Sequence, residues 1–183
     1  MQMPNNEPVT FIRDCEAVLI PAGDTVEIPV GTHGNITQAL GGSFTVYIAG
    51  NLIRIAGENA DAIGKDAPEP LKLPDDATPD DVEALVWEQM TTVFDPEIPI
   101  NLVDLGLIYR CDFDHTDAEK RIVAIDMTLT APGCGMGDIL LDDVKSKVRM
   151  VPSVARVDIE LVFDPPWNME MMSDAAKLQV GML

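Results

Sequence analysis

Histidine is scarce in this 183-residue chain, which has only His33 and His115. A nucleophilic cysteine enzyme needs a general base beside its thiol, and histidine is the usual one. His33 falls in a glycine-flanked turn of the first half and reads as a loop residue. His115 falls in a polar hairpin loop and reads as a surface residue. A cysteine-dependent enzyme is therefore disfavoured, and no catalytic residue is assigned. Cysteine is scarce too, with only Cys15, Cys111 and Cys134 and no Cys-x-x-Cys pair. These are too few and too scattered for a disulfide framework, and they cannot supply four ligands to a cluster from one chain. Basic residues number 12 against 31 acidic ones, a formal net charge of −19. Such a chain repels nucleic acid and anionic membranes, so neither is an expected partner. No apolar run is long enough for a bilayer, and the N-terminus lacks the basic and apolar regions of a signal peptide. The expected location is the cytoplasm, where the thiols stay reduced.

What is present reads as a globular α+β protein, 46% hydrophobic and 23% charged. Residues 9 to about 66 read as all-β, with short strand candidates at 11–14, 15–20, 25–30, 36–40, 44–48 and 52–55. Turn chemistry at Pro21-Ala-Gly-Asp24, Gly31-Thr-His-Gly34, Gly41-Gly42 and Ala49-Gly-Asn51 separates them. The pattern suggests a small barrel-like domain. Cys15 reads as a strand residue. Residues 64–79 carry four prolines and little apolar surface, a stiff linker. The boundary is placed near residue 76, giving a β-rich domain 1–76 and a second domain 77–183. Acid exceeds base in both, 11 to 4 and 20 to 8, so neither is a basic tail.

The second half opens with Thr78-Pro79-Asp80-Asp81, an N-cap, a first-turn proline and first-turn acids. Val82, Leu85, Val86, Met90 and Val93 keep helical spacing as far as Phe94, with Trp87 off the stripe and Asp95-Pro96 ending the helix. A strand over 107–113 places Cys111 on an apolar face, a core position. Residues 122–129 form its hairpin partner. A second helix follows, marked by Ile139, Leu140, Val144 and Val148. A third strand carries Val157, Ile159, Leu161 and Phe163 on one face, and a short terminal helix starts at Ser173. The order α-β-β-α-β-α describes a two-layer domain with helices on a small sheet.

Three stretches of this half could carry chemistry. In Met127-Thr-Leu-Thr-Ala-Pro-Gly-Cys-Gly-Met-Gly-Asp138 a strand runs into a turn, a single thiol and a helix start capped by Asp138. Unpaired N–H groups and the helix dipole there favour thiolate at Cys134, although a buried cysteine in a tight turn has the same spacing. Asp95-Pro-Glu-Ile-Pro99 with Asp104 places Asp95, Glu97 and Asp104 in one loop whose backbone two prolines restrict. Those carboxylates could tune a thiol, bind a cation, or simply satisfy turn N–H groups. Phe163-Asp-Pro-Pro-Trp-Asn-Met-Glu-Met-Met-Ser173 joins a rigid Pro-Pro to Trp167, Met169, Met171 and Met172. This is either adaptable contact surface for a partner or core filler.

Together, Asp95-Pro-Glu-Ile-Pro99 with Asp104-Leu-Gly-Leu-Ile-Tyr109, Met127-Thr-Leu-Thr-Ala-Pro-Gly-Cys134, and Asp164-Pro-Pro-Trp167 with Met172-Ser-Asp-Ala-Ala-Lys-Leu178 resemble the metal–sulfur cluster assembly domain of PaaD-like proteins and the SufT family. Arg13-Asp-Cys-Glu-Ala17, Thr37-Gln-Ala-Leu-Gly-Gly-Ser43 and Arg54-Ile-Ala-Gly57 resemble the extension that distinguishes SufT. The resemblance implies an auxiliary factor in iron–sulfur protein maturation rather than an enzyme with turnover. Its reactive cysteine corresponds to Cys134 and its acidic loop to Asp95, Glu97 and Asp104. With no Cys-x-x-Cys pair, iron or an iron–sulfur cluster at Cys134 would be shared with a second subunit in a homodimer, completed by Asp, Glu or a small thiol, or held only transiently, and cluster carriers, scaffolds and client apo-proteins are the expected partners. Many members of the family have proline after that cysteine, whereas this chain has Gly135. A metal-free adaptor bridging clients and carriers is the alternative. In it Trp167, Met171 and Met172 supply contact surface.

Overall fold

Period-two alternation, found in the first fifty-five residues and again in stretches after Pro79, and period-3.6 spacing, found in other stretches from Pro79 onward, set the two kinds of element found in the structure. It is a computed structural model that describes residues 7–40, 42–66, 69–95, 98–131 and 137–182. The protein is α+β with a β-rich N-terminal part. The chain divides into two compact units, Met1–Glu69 and Pro70–Leu183.

The first unit contains β1 (Glu7–Thr10), β2 (Cys15–Ile20), β3 (Thr25–Ile28), β4 (His33–Leu40), β5 (Ser43–Ile48) and β6 (Asn51–Ile55). They form one six-stranded sheet in the order β1-β4-β5-β6-β2-β3. Val46 pairs with Ile36 on one side and Ile53 on the other, so the register stacks three branched side chains on one face. With Phe11, Ala17 and Ile55 they make a core of apolar residues, closed by a 3₁₀ helix, Gly57–Ile63. Two expectations shift here. The first strand is 7–10 rather than 11–14, because Pro8 is accommodated on the edge strand where its missing N–H costs no ladder bond. His33 opens β4 opposite Thr10 instead of lying in a turn.

In the second unit, Thr78 and Asp81 form a reciprocal capping box at the start of α1 (Pro79–Met90). α1 ends at Met90, short of the expected Phe94. The Thr91 and Thr92 hydroxyls donate to the Glu88 and Gln89 carbonyls at 2.6 and 2.7 Å, which replaces helix continuation with local bonds. β7 (Ile108–Asp114), β8 (Arg121–Met127) and β9 (Val154–Leu161) follow, with α2 (Gly137–Arg149) before β9 and α3 (Asp174–Gln179) at the end. β8 is central, antiparallel to β7 and parallel to β9. A parallel pair needs a crossover, and α2 supplies it. Val123, Ile125 and Met127 alternate inward from β8 to meet Val82, Val86 and Met90 of α1 and Val144 and Val148 of α2. Gly137 already lies inside α2, so Asp138 is a first-turn acid and not the cap expected of it.

His115 is not a plain surface residue. Its ring stacks on Phe113 (centroids 5.8 Å, 7° between planes), with Nε2 2.9 Å from Glu83 Oε1. Buried Arg121 donates from Nε to His115 Nδ1 at 3.0 Å and from Nη1 to Ser153 Oγ at 2.5 Å. Helix α1, the hairpin loop and the turn before β9 are thus joined through one guanidinium.

Candidate functional site

The topology places the thiol stretch at the carboxyl end of the central strand, in the connection to α2. Ends of parallel strands are common places for sites in sheets of this kind. Cys134 and its neighbours 132–136 lie outside the described residues, as does Glu97. The groups leading up to them are described.

Asp95 is 5% exposed in an irregular loop. Its Oδ1 accepts from the Ile98 N–H at 2.9 Å, and Thr130 Oγ1 donates to Oδ2 at 3.4 Å. Thr130 stands four residues before Cys134. The acidic loop and the segment that follows β8 are therefore tied through one buried carboxylate. A second tie is the Thr128 N–H bonded to the Leu107 carbonyl at 2.8 Å. Thr128 itself is 1% exposed, and its hydroxyl has no hydrogen-bond partner among the described residues. Asp104 is half-buried and shapes its own turn. Asn101 Nδ2 donates to its carboxylate at 2.6 Å, and its N–H donates to Asn101 Oδ1 at 2.9 Å. Both described acids thus organise the loop, and only Asp95 reaches the segment that follows β8 among the bonds described here.

The tail returns to the same loop. Trp167 Nε1–H donates to the Leu105 carbonyl at 2.7 Å, and the Tyr109 hydroxyl donates to the Pro165 carbonyl at 2.8 Å. The Ser173 N–H bonds the Asp104 carbonyl at 2.8 Å. Tyr109 also lies 3.6 Å from the Met171 sulfur. Gly106, at φ +72°, makes room for this docking, since a Cβ there would stand 2.2 Å from the Met171 carbonyl oxygen. Met172 is 5% exposed within the core, so its side chain packs inside the fold rather than offering itself to a partner. Trp167 is half-buried, while Phe163 and Met169 stand in solvent.

The two described cysteines are poor thiolates. Burial raises the thiol pKa of Cys15 above its ordinary value, and burial, with Asp112 and Glu83 nearby, pushes Cys111 up to about 12. Among the described residues no three His, Cys, Asp or Glu side chains converge as a metal site. No helix among them is long and apolar enough to cross a membrane. The reach of Trp167 and Tyr109 to backbone carbonyls had no sequence signal beyond the presence of the aromatics.

Residues 83–160 match the family described as iron–sulfur cluster assembly protein. A protein of Porphyromonas gingivalis named Fe-S protein maturation auxiliary factor is 47% identical over 98 residues, 54% of this chain and 90% of that one. The Staphylococcus aureus Fe-S protein maturation auxiliary factor SufT is 38% identical over 89 residues, 49% of this chain and 97% of that one. The chain belongs to the SufT family of iron–sulfur protein maturation auxiliary factors. A crystal structure of a domain of unknown function from Bacillus anthracis, 32% identical, covers 57% of this chain and 95% of its own at a TM-score of 0.51. About half of this chain thus accounts for nearly all of these family members. They leave no room for a second unit of the size found here.

Proposed function

We propose that this protein is an accessory factor in iron–sulfur protein maturation, in which Cys134 transiently holds iron or a cluster as cargo and passes it on. Asp95, Glu97 and Asp104 assist as the acidic loop beside it. The observation that carries this reading is the Asp95–Thr130 contact, which joins that loop to the segment of sequence that leads from β8 to Cys134. The raised thiol pKa of Cys15 and Cys111, which keeps both protonated, supports the choice of thiol. The names of two relatives, both Fe-S protein maturation auxiliary factors, support the role and fit a lack of turnover. The cargo is completed by a second copy in a homodimer, since one chain has one suitable thiol. Carriers, scaffolds and client apo-proteins are the partners, and the cytoplasm is the compartment. The β-rich part to residue 76 and the assembly part from 77 act as separate domains, the first of them barrel-like.

The test is anaerobic reconstitution with ferrous iron and sulfide, read by absorbance and sedimentation. Wild type develops a thiolate-to-iron chromophore and a heavier species, and Cys134→Ser develops neither. A chromophore equal in both proteins, or in neither, contradicts the reading. The metal-free adaptor is the second reading. It is favoured by the solvent-facing tail, where Phe163, Met169 and Leu178 are 47, 54 and 65% exposed. Such apolar groups on a held segment suit a protein contact.

A further inference from the structure

The tail is docked onto the acidic loop by contacts that cross more than fifty residues of sequence. They converge on a short stretch of backbone. Leu105 O receives Trp167, Asp104 O receives Ser173, Pro99 O receives Gln179 Nε2 at 3.3 Å, and Gly106 abuts Met171. Tyr109 fastens the other side through the Pro165 carbonyl. The far side of the same loop is bonded to the segment that follows β8, through Leu107 O to Thr128 N–H and through Asp95 to Thr130. Loop carbonyls are weakly restrained unless something donates to them, and here the donors come from the tail.

We infer that Trp167 and Tyr109 are positioning residues: they clamp the tail to the acidic loop, and the loop in turn fixes Thr128 and Thr130 in the segment of sequence that leads from β8 to Cys134. This rests on the reading of Cys134 as the functional thiol. It gives Trp167 a role directed inward, at the Leu105 carbonyl. The exposed Phe163, Met169 and Leu178 remain free for partners. Tyr109→Phe removes the hydroxyl at Pro165 O and Met171 Sδ with the ring kept, and Trp167→Phe removes the N–H donor together with the pyrrole part of the indole while keeping an aromatic ring.

The test compares full-length wild type with Trp167→Phe and Tyr109→Phe. Two quantities are read at matched thermal stability: amide exchange at Leu105, Gly106 and Ser173, and the rate at which iodoacetamide labels Cys134, located by peptide mapping. Exchange at Ser173 and Gly106 is expected to rise about tenfold in either variant, the loss of one net hydrogen bond. The Cys134 labelling rate is expected to change about threefold or more, with Cys15 and Cys111 still unlabelled. Unchanged exchange overturns the clamp. Faster exchange with an unchanged labelling rate overturns the positioning role and leaves the bonds merely structural. Neither readout uses iron, so a failure of the cargo reading in reconstitution is told apart from a failure here.

Discussion

The two units differ in where they keep their polar groups. Among the described residues, all four buried polar ones, Gln89, Asp95, Arg121 and Thr128, lie in the second unit. The first unit has a core without them and places its ion pairs outside. Arg13 grips Asp61 with both side chains well exposed, and Lys65 reaches Glu7 at 2.7 Å at the surface. Burying a polar group is costly unless it is bonded, so a fold keeps such groups where they hold something in a required place. The family match falls on the same half. The contrast marks the first unit as a packed sheet held by apolar contact, and the second as the part in which geometry is specified.

Substitutions that sharpen the contrast start with Gly106→Ala. Left-handed backbone and a 2.2 Å approach to Met171 oxygen leave no place for a methyl group. A loss of about 2–5 kcal/mol is expected from strain and overpacking together, measured by denaturant unfolding. Gly50→Ala in the first unit, also at positive φ but with nothing near its Cβ, should lose only about 1 kcal/mol. Next is Asp95→Ala, which removes the acceptor of the Ile98 and Thr130 bonds in a buried site and should cost about 1–3 kcal/mol. Its counterpart in the first unit, Arg13→Ala, removes an exposed pair and should leave the midpoint almost unmoved. An equal effect for the two would break the comparison.

How far the sequence carried this picture follows the range of the interactions. The capping box at Thr78 and Asp81, the inward alternation of β8 and the Ser173 cap of α3 are local, and each was legible. The 3₁₀ turn at Gly57–Ile63 was not, because its short run has no apolar period to read. His115 was misplaced because its burial depends on Glu83, thirty-two residues away, and on a guanidinium from the next strand. The same holds for the site. The acidic loop and the thiol were visible as residue types. The bond from Thr130 to Asp95 and the docking of Trp167 on Leu105 exist only once the sheet brings distant segments together.

A further expected effect is on pH dependence. Burial holds the Cys111 thiol neutral, its pKa raised from an ordinary 9.0 to about 12. A folded pKa above the unfolded one contributes stability that is fully present below about pH 9 and is lost as pH rises toward about 12. Thermal midpoints should fall across that window, and Cys111→Ala should flatten the slope. Cys15 is shifted in the same direction, so it contributes a slope of the same sign from the first unit.

The central claim is that the second unit supplies all of this chain's share of the cargo site, and the direct measurement is anaerobic iron and sulfide reconstitution of residues 70–183 beside the full chain, each with and without Cys134→Ser. The account predicts equal iron per chain in the two lengths, lost from both when Cys134 is replaced. Iron retained only by the full-length protein, or retained by either length without Cys134, would contradict it.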